Sequence, residues 1–363
     1  MSQLLERLQR ELAQLDDPVA AAETRARIAA NLARLGRFDA ARKAIDELRQ
    51  IFGAGQSGRA TVWIMLAEGL IQHYEDLSPT AIDRITRAQV LGVAMGYSTV
   101  IALASAWKAH IEFETSNFSA MIGSLSLATQ NVGEAEHDAQ TRLAIVLSNS
   151  FMICGDRVQG QKWFMRGREH AVKNGDQASI EALLYNRVAF TLAWFRVLNC
   201  GSGITAEELK RLRLEIDSAR NLQDLTRITA LANHVKLLDA RLMILEGRYE
   251  DAIFALGAIR TQLPFAQHNF DQLFIDLEIF FCRIQMDESA TPGSSLDILV
   301  DRRLGDLDID ERIVAAWMRF RIAEVRTDMV DMDVARRQLS GLMTKYQTER
   351  AALGAALENF ILQ

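Results

Sequence analysis

Few groups of residues in this sequence are of a type and spacing that could do chemistry on their own. Gly53-Ala54-Gly55-Gln56-Ser57-Gly58 has the G-x-G-x-x-G spacing of a phosphate cradle, where backbone N–H groups at a helix N-terminus meet an anion. That fingerprint needs a strand before it, and Ala40–Phe52 reads as a helix by period and composition. No P-loop lysine follows, so a flexible linker before a helix starting near Arg59 is the preferred reading. The six histidines are His73, His110, His137, His170, His234 and His268; none is read as forming H-E-x-x-H or an i, i+4 pair, and no metal site is expected. Asp306, Asp308 and Asp310 alternate as in a calcium loop, but Glu311 stands where the loop needs glycine. They read instead as an acidic cluster favourable to the dipole of a helix before Ile313. Asp16-Asp17 lacks further acids at helical spacing, and no serine lies in a G-x-S-x-G elbow. Cys154, Cys200 and Cys282 are far apart, form no C-x-x-C and sit among apolar residues, as structural thiols of a reducing compartment do. The expectation is a protein that is not an enzyme and carries no cofactor.

The elements that must position any site are helical. Of 363 residues only four are proline, about 1%, against an average near ~5%. A large β protein needs more turn residues than this, and no stretch alternates with period two. Pro18 after Asp17 and Pro79 after Ser78 put a capping side chain before a ring at the first helical position. Pro264 and Pro292 fall between periodic segments. Hydrophobic periodicity and breakers divide the chain into about seventeen helices, one of them the strongly apolar run near 178–198. The stretches Asn199–Ile204 and Asp287–Ser295 are the clearest irregularities, and the second reads as a loop. A net charge of −6 argues against a broad nucleic-acid footprint, and acids flank Lys210-Arg211-Leu212-Arg213, the densest basic run. No segment is apolar enough to span a membrane, and the amphipathic N-terminus is unlike a signal peptide, so a cytoplasmic location is expected.

The helices repeat. Gly36-Arg37-Phe38-Asp39-Ala40-Ala41 returns as Gly247-Arg248-Tyr249-Glu250-Asp251-Ala252, each between two helical runs. The glycine suits a left-handed helix end, the aromatic wedges the hinge, and the alanine admits close approach of the second helix. Weaker copies occur at Asp76–Ala81, Ser116–Phe118, Gly155–Arg157 and Val330–Met332. Anchors at Ala41, Ala81, Met121 and Gly160 are 40, 40 and 39 residues apart; with Ala252 and Ala335 the mean spacing over seven intervals is 42. The order glycine, aromatic, alanine, apolar positions (Leu256, Ile259) and proline (Pro264) resembles the tetratricopeptide repeat, with units longer than the standard ~34 residues. Units of this length are similar to those of bacterial regulatory tetratricopeptide domains, among them Rap-type peptide receptors. Arg157 and Ser78 stand where that family has an aromatic, and HEAT-like stacking is the alternative arrangement. The fold implied is all-α: a right-handed α-solenoid of about eight helix-turn-helix units forming one domain. Residues 1–17 would be an N-terminal capping helix, 18–345 the repeats, and 346–363 a C-terminal helix that caps the stack or mediates homodimerisation.

In the family's frame the first helix of each unit lines a concave face that takes peptides or partner helices. Transferring that frame places Trp63, His73, Tyr74, His110, Phe113, Arg142, Asn149, Phe195, His234, Arg241 and Trp317 inward, with Asn186, Arg187 and Asn233 nearby. Asparagine can hold a peptide backbone, arginine a carboxylate, and aromatics give anchors; the same aromatics equally suit a core between helices. The expected function is a scaffold that binds a protein or peptide. A regulatory sensor whose superhelix responds to a small peptide or metabolite is the alternative, and an all-α enzyme with a non-local site the remote one. No helix-turn-helix or basic segment points to direct nucleic-acid binding.

Overall fold

A computed structural model describes residues 2–52, 58–76, 80–226, 232–261, 269–286 and 307–361. Gly53–Ser57, Leu77–Pro79, Pro264, His268, Asp287–Ser295 and Asp306, all used above, lie outside the described residues. The described chain contains sixteen α-helices and no strand. They are α1 (Gln3–Leu12), α2 (Pro18–Arg34), α3 (Phe38–Phe52), α4 (Gly58–Asp76), α5 (Ala81–Ala94), α6 (Ser98–Glu114), α7 (Phe118–Asn131) and α8 (His137–Ile153). Then follow α9 (Arg157–Asn174), α10 (Gln177–Asn199), α11 (Ala206–Thr226), α12 (Ala232–Leu245), α13 (Tyr249–Arg260), α14 (Asn269–Gln285), α15 (Ile309–Val325) and α16 (Met329–Ile361). The all-α expectation is met, and none of these helices is long and apolar enough to cross a membrane. One boundary differs: α16 runs unbroken through residue 345, so no separate helix begins at 346.

The hinges explain why the chain turns where it does. Gly36 and Gly247 adopt φ of +74° and +73°, and the next residue's N–H reaches back five residues, Arg37 to Leu32 and Arg248 to Met243, at 2.9 Å each. This is a left-handed helix cap with its 6→1 hydrogen bond. The same cap recurs at Gly96 and Gly175, and without glycine at Ser116 (φ 56°) and Thr327 (φ 58°). Five residues after Gly36, Ser116, Gly155 and Gly247 stand Ala41, Met121, Gly160 and Ala252, all buried. At Thr327 that spacing points to Met332 rather than to Ala335. Asp17 caps α2 as its position before Pro18 implies, accepting from the N–H groups of Val19 and Ala20.

The chain divides into two compact units. Unit 1 comprises Met1–Leu184, Gln223–Ala230 and Leu353–Gln363; unit 2 comprises Tyr185–Leu222 and Leu231–Ala352. In unit 1 each first helix packs on its own second helix (α2 on α3, α4 on α5, α6 on α7, α8 on α9), and α2 also meets α4, α4 meets α6, and α6 meets α8. The core of its first half joins Ile45, Leu48, Leu66, Leu70, Ile85 and Trp107. Unit 2 is built on separate clusters, one around Phe274, Ile275, Phe281 and Leu256, another around Leu192, Leu212, Ile216 and Leu242.

Candidate functional site

In unit 1, residues from five alternate helices line one cavity: Asn31 and Arg34 of α2, Trp63, Leu66 and Leu70 of α4, Leu103 and Trp107 of α6, Asp138 and Arg142 of α8, and Ser179 of α10. The remaining wall comes from α1 itself, through Leu4 and Leu8. Leu4, Leu5 and Leu8 are buried to 2% exposure or less in the core that contains Trp63, Leu66 and Trp107. The space left beside them is about 40 Å³, room for water and not for a metabolite.

Polar contacts fix the seat of α1. The Leu4 N–H donates to the Gly175 carbonyl at 3.0 Å, and the Arg7 guanidinium donates to the Asn174 side chain. Asn174 in turn donates to Asp138, which also accepts from Arg27 at 3.2 Å. Deeper in, Arg34 pairs with Asp176 at 2.8 Å and donates to the Ser179 hydroxyl. Burial works to lower the Arg34 pKa, but Asp176, Tyr74 and Asp138 together raise it above its ordinary value. A helix of ten residues is shorter than the ~12–15 at which isolated helices become stable in water, so the groove holds α1 helical.

Beside this cavity lies a cluster of rings. Trp107 meets the His73 and His110 imidazoles edge-on at 5.9 and 5.5 Å, and Tyr74 at 5.6 Å. The Arg142 guanidinium lies 3.5 Å over the Trp107 ring centroid and donates to the Tyr74 hydroxyl at 3.3 Å. Glu114, one turn beyond His110 on α6, carries a carboxylate 3.2 Å from His110 Nε2 and 3.8 Å from His73 Nε2. Burial pushes the His73 imidazole down to about 4, opposed by Glu114 and reinforced by His110 and Arg142, so this ring is neutral near pH 7. Crowding by protein works to raise the Glu114 pKa, but His110, His73 and Arg142 bring it down to about 2.

Five of the residues placed inward from the sequence, Trp63, His73, Tyr74, His110 and Arg142, thus fall around this cavity and ring cluster. Trp63 is held there by donating its indole N–H to the Tyr97 hydroxyl at 3.1 Å. Phe113 packs on Phe118 across the α6–α7 hinge, and Asn149 is buried on α8. The rest lie in unit 2 at several places. Arg187 pairs with Glu215 at 3.0 Å, half-buried Asn186 is its neighbour on α10, and Phe195 is buried against Trp194. Half-buried Asn233 and His234 start α12, where His234 meets Tyr185 edge-on at 6.0 Å, and Trp317 packs on Phe281. Arg241 joins Arg196 around the fully buried Glu278.

Two features of the site are not among those expected from the sequence pattern alone. No two histidines are four residues apart, but His110 and Glu114 are, and His73 joins them from α4. The signal was available: His73 stands eight residues before Ala81 and His110 eleven before Met121, a three-residue offset that keeps both on one helix face. The N-terminal helix, expected as a cap, sends Leu4, Leu5 and Leu8 into the same core as the first helices. Two of the thiols, Cys200 and Cys282, carry no reactive signature, since burial pushes both up to about 12. Compared with known protein families and with curated proteins, the chain matches none.

Proposed function

We propose that this protein is a tetratricopeptide-like repeat scaffold, its hairpins stacked as a right-handed α-solenoid, whose unit 1 groove binds an amphipathic helix of a protein partner. The observation that carries the reading is α1: the groove lined by alternate first helices already accepts a helix, with leucines at positions 4, 5 and 8 facing in and Arg7 reaching a polar rim. Groove recognition of this kind reads apolar anchors one turn apart, with charge fixing direction. The partner segment expected is therefore a leucine-bearing helix with a basic residue placed as Arg7 is, able to donate to Asn174, which in turn donates to Asp138. Binding requires α1 to leave, so partner capture and release of α1 are coupled.

The test uses the full chain with Leu5→Glu and Leu8→Glu together, since two buried carboxylates cannot stay in an apolar groove. A labelled synthetic peptide of residues 2–16 is titrated into this variant and into the wild type, with circular dichroism and thermal melts recording the fold. Saturable binding to the variant, with little or none to the wild type, is the expected result. A folded variant that leaves the peptide free would overturn the reading. If the variant unfolds, α1 is part of the indispensable core, and the groove reading fails as well.

A further inference from the structure

The helices α4 and α6 bring His73, His110 and Glu114 together so that one imidazole nitrogen of each histidine and one carboxylate oxygen lie within 4.8 Å of one another. We propose that these three side chains form a binding site for a divalent transition-metal ion of the zinc class. Two imidazoles and one carboxylate are a donor set that suits such an ion. Metal–nitrogen and metal–oxygen bonds near 2.1 Å in a tetrahedron put neighbouring donor atoms about 3.4 Å apart. His110 Nε2 lies 3.2 Å from one Glu114 oxygen and His73 Nε2 lies 3.8 Å from the other, so the carboxylate faces both rings, and one donor atom from each of the three residues falls within 4.8 Å of the others. Binding an ion therefore requires the three donors to close from within 4.8 Å toward that spacing.

The surroundings favour a built site over a chance meeting. His110 and Glu114 are one helical turn apart on α6, which fixes their spacing through the backbone. Trp107 packs edge-on against both imidazoles and Tyr74 against His73, limiting the rotation of the rings. Both histidines are buried, while the Glu114 side chain is 43% exposed, which gives the ion an approach from solvent. Three protein donors leave a fourth position for water or an exogenous ligand. Arg142, stacked on Trp107, adds a nearby positive charge that opposes the cation and favours an anion in that fourth position.

His137 and His170 provide the internal comparison. Their Nδ1 atoms are 3.1 Å apart, but among the described residues no third His, Cys, Asp or Glu donor completes a group with them. The test is a titration of the chelator-treated full chain with Co²⁺, read by visible absorption, followed by Zn²⁺ competition. One equivalent of Co²⁺ should develop the intense bands of a four-coordinate ion, and Zn²⁺ should abolish them. Glu114→Gln, on the exposed ligand, should keep the wild-type melting profile and weaken binding at least about tenfold, as should His110→Asn. His170→Ala should titrate as wild type. The proposal is overturned if the wild type develops no such bands, if Glu114→Gln titrates unchanged, or if the bands vanish in His170→Ala instead.

Discussion

At the scale of single residues, burial decides what a side chain can do. Glu181 on α10 is 4% exposed, and its contact with Gln223 is long, at 3.5 Å. Burial pushes its carboxyl from 4.5 up to about 7, although the Gln223 hydrogen bond pulls the other way. The folded chain therefore keeps this proton over a range in which the unfolded chain has lost it. Its contribution to stability is complete below pH 4.5 and lost as the pH rises through 7. Glu181→Gln keeps the shape without the charge and should be more stable than wild type by about 3 kcal/mol at pH 8, with near equality at pH 4.5. Urea denaturation at the two pH values measures this; an equal difference at both would remove the charge explanation. Nothing in the sequence around Glu181 announces such a shift, because it depends on neighbours that arrive from outside α10. Arg142 and Arg241 teach the same lesson: as arginines in a helical pattern they read as groove ligands, but one stacks on Trp107 and the other sits against Glu278.

At the scale of elements, the hinges were the most legible feature, since a left-handed cap is a local backbone demand that glycine meets without strain. Gly36 and Gly247 satisfy it directly, and a Cβ added at either would touch nothing within 4 Å. Gly36→Ala should therefore cost only the backbone strain, about 1 kcal/mol. Thr327 adopts the same conformation with a β-branched side chain, for which φ of 58° is costly. Thr327→Gly should raise stability by about 1 kcal/mol, less whatever its hydroxyl gains from the Arg326 carbonyl at 2.6 Å. Thermal melts of the two variants should shift in opposite directions, and a fall for Thr327→Gly would contradict the strain argument. What the hinge pattern could not supply was the length of α16. Residues 329–361 contain neither proline nor a left-handed glycine, so nothing local ends the helix near 345. The role of α1 was equally hidden, because an amphipathic helix declares that it will bury one face but not against what.

At the scale of the whole chain, two compact units each carry a core of their own, and the polar interior of unit 2 offers a way to address one without the other. Glu278 is fully buried on α14 between Arg196 of α10 and Arg241 of α12, and Arg241 reaches on to Glu311 of α15 at 3.5 Å. Both guanidinium groups also stand about 5 Å from the face of Phe274. Three helices, α10, α12 and α14, thus meet at one carboxylate, and Arg241 ties α15 to them through Glu311. Burial lowers the Arg196 pKa and the Glu278 charge opposes that effect, so the ion pair offsets a desolvation penalty already incurred. Removing the carboxylate leaves two buried cations facing each other with Glu311 as the remaining acid beside Arg241, a loss on the order of 3–5 kcal/mol. Glu278→Ala should consequently loosen unit 2 selectively. Hydrogen exchange followed by mass spectrometry should show faster exchange in peptides from α12–α15, with peptides from α4–α8 retaining wild-type protection. Acceleration spread evenly over both sets would mean that the chain opens as one cooperative body, and the two cores would then not be separate sources of stability.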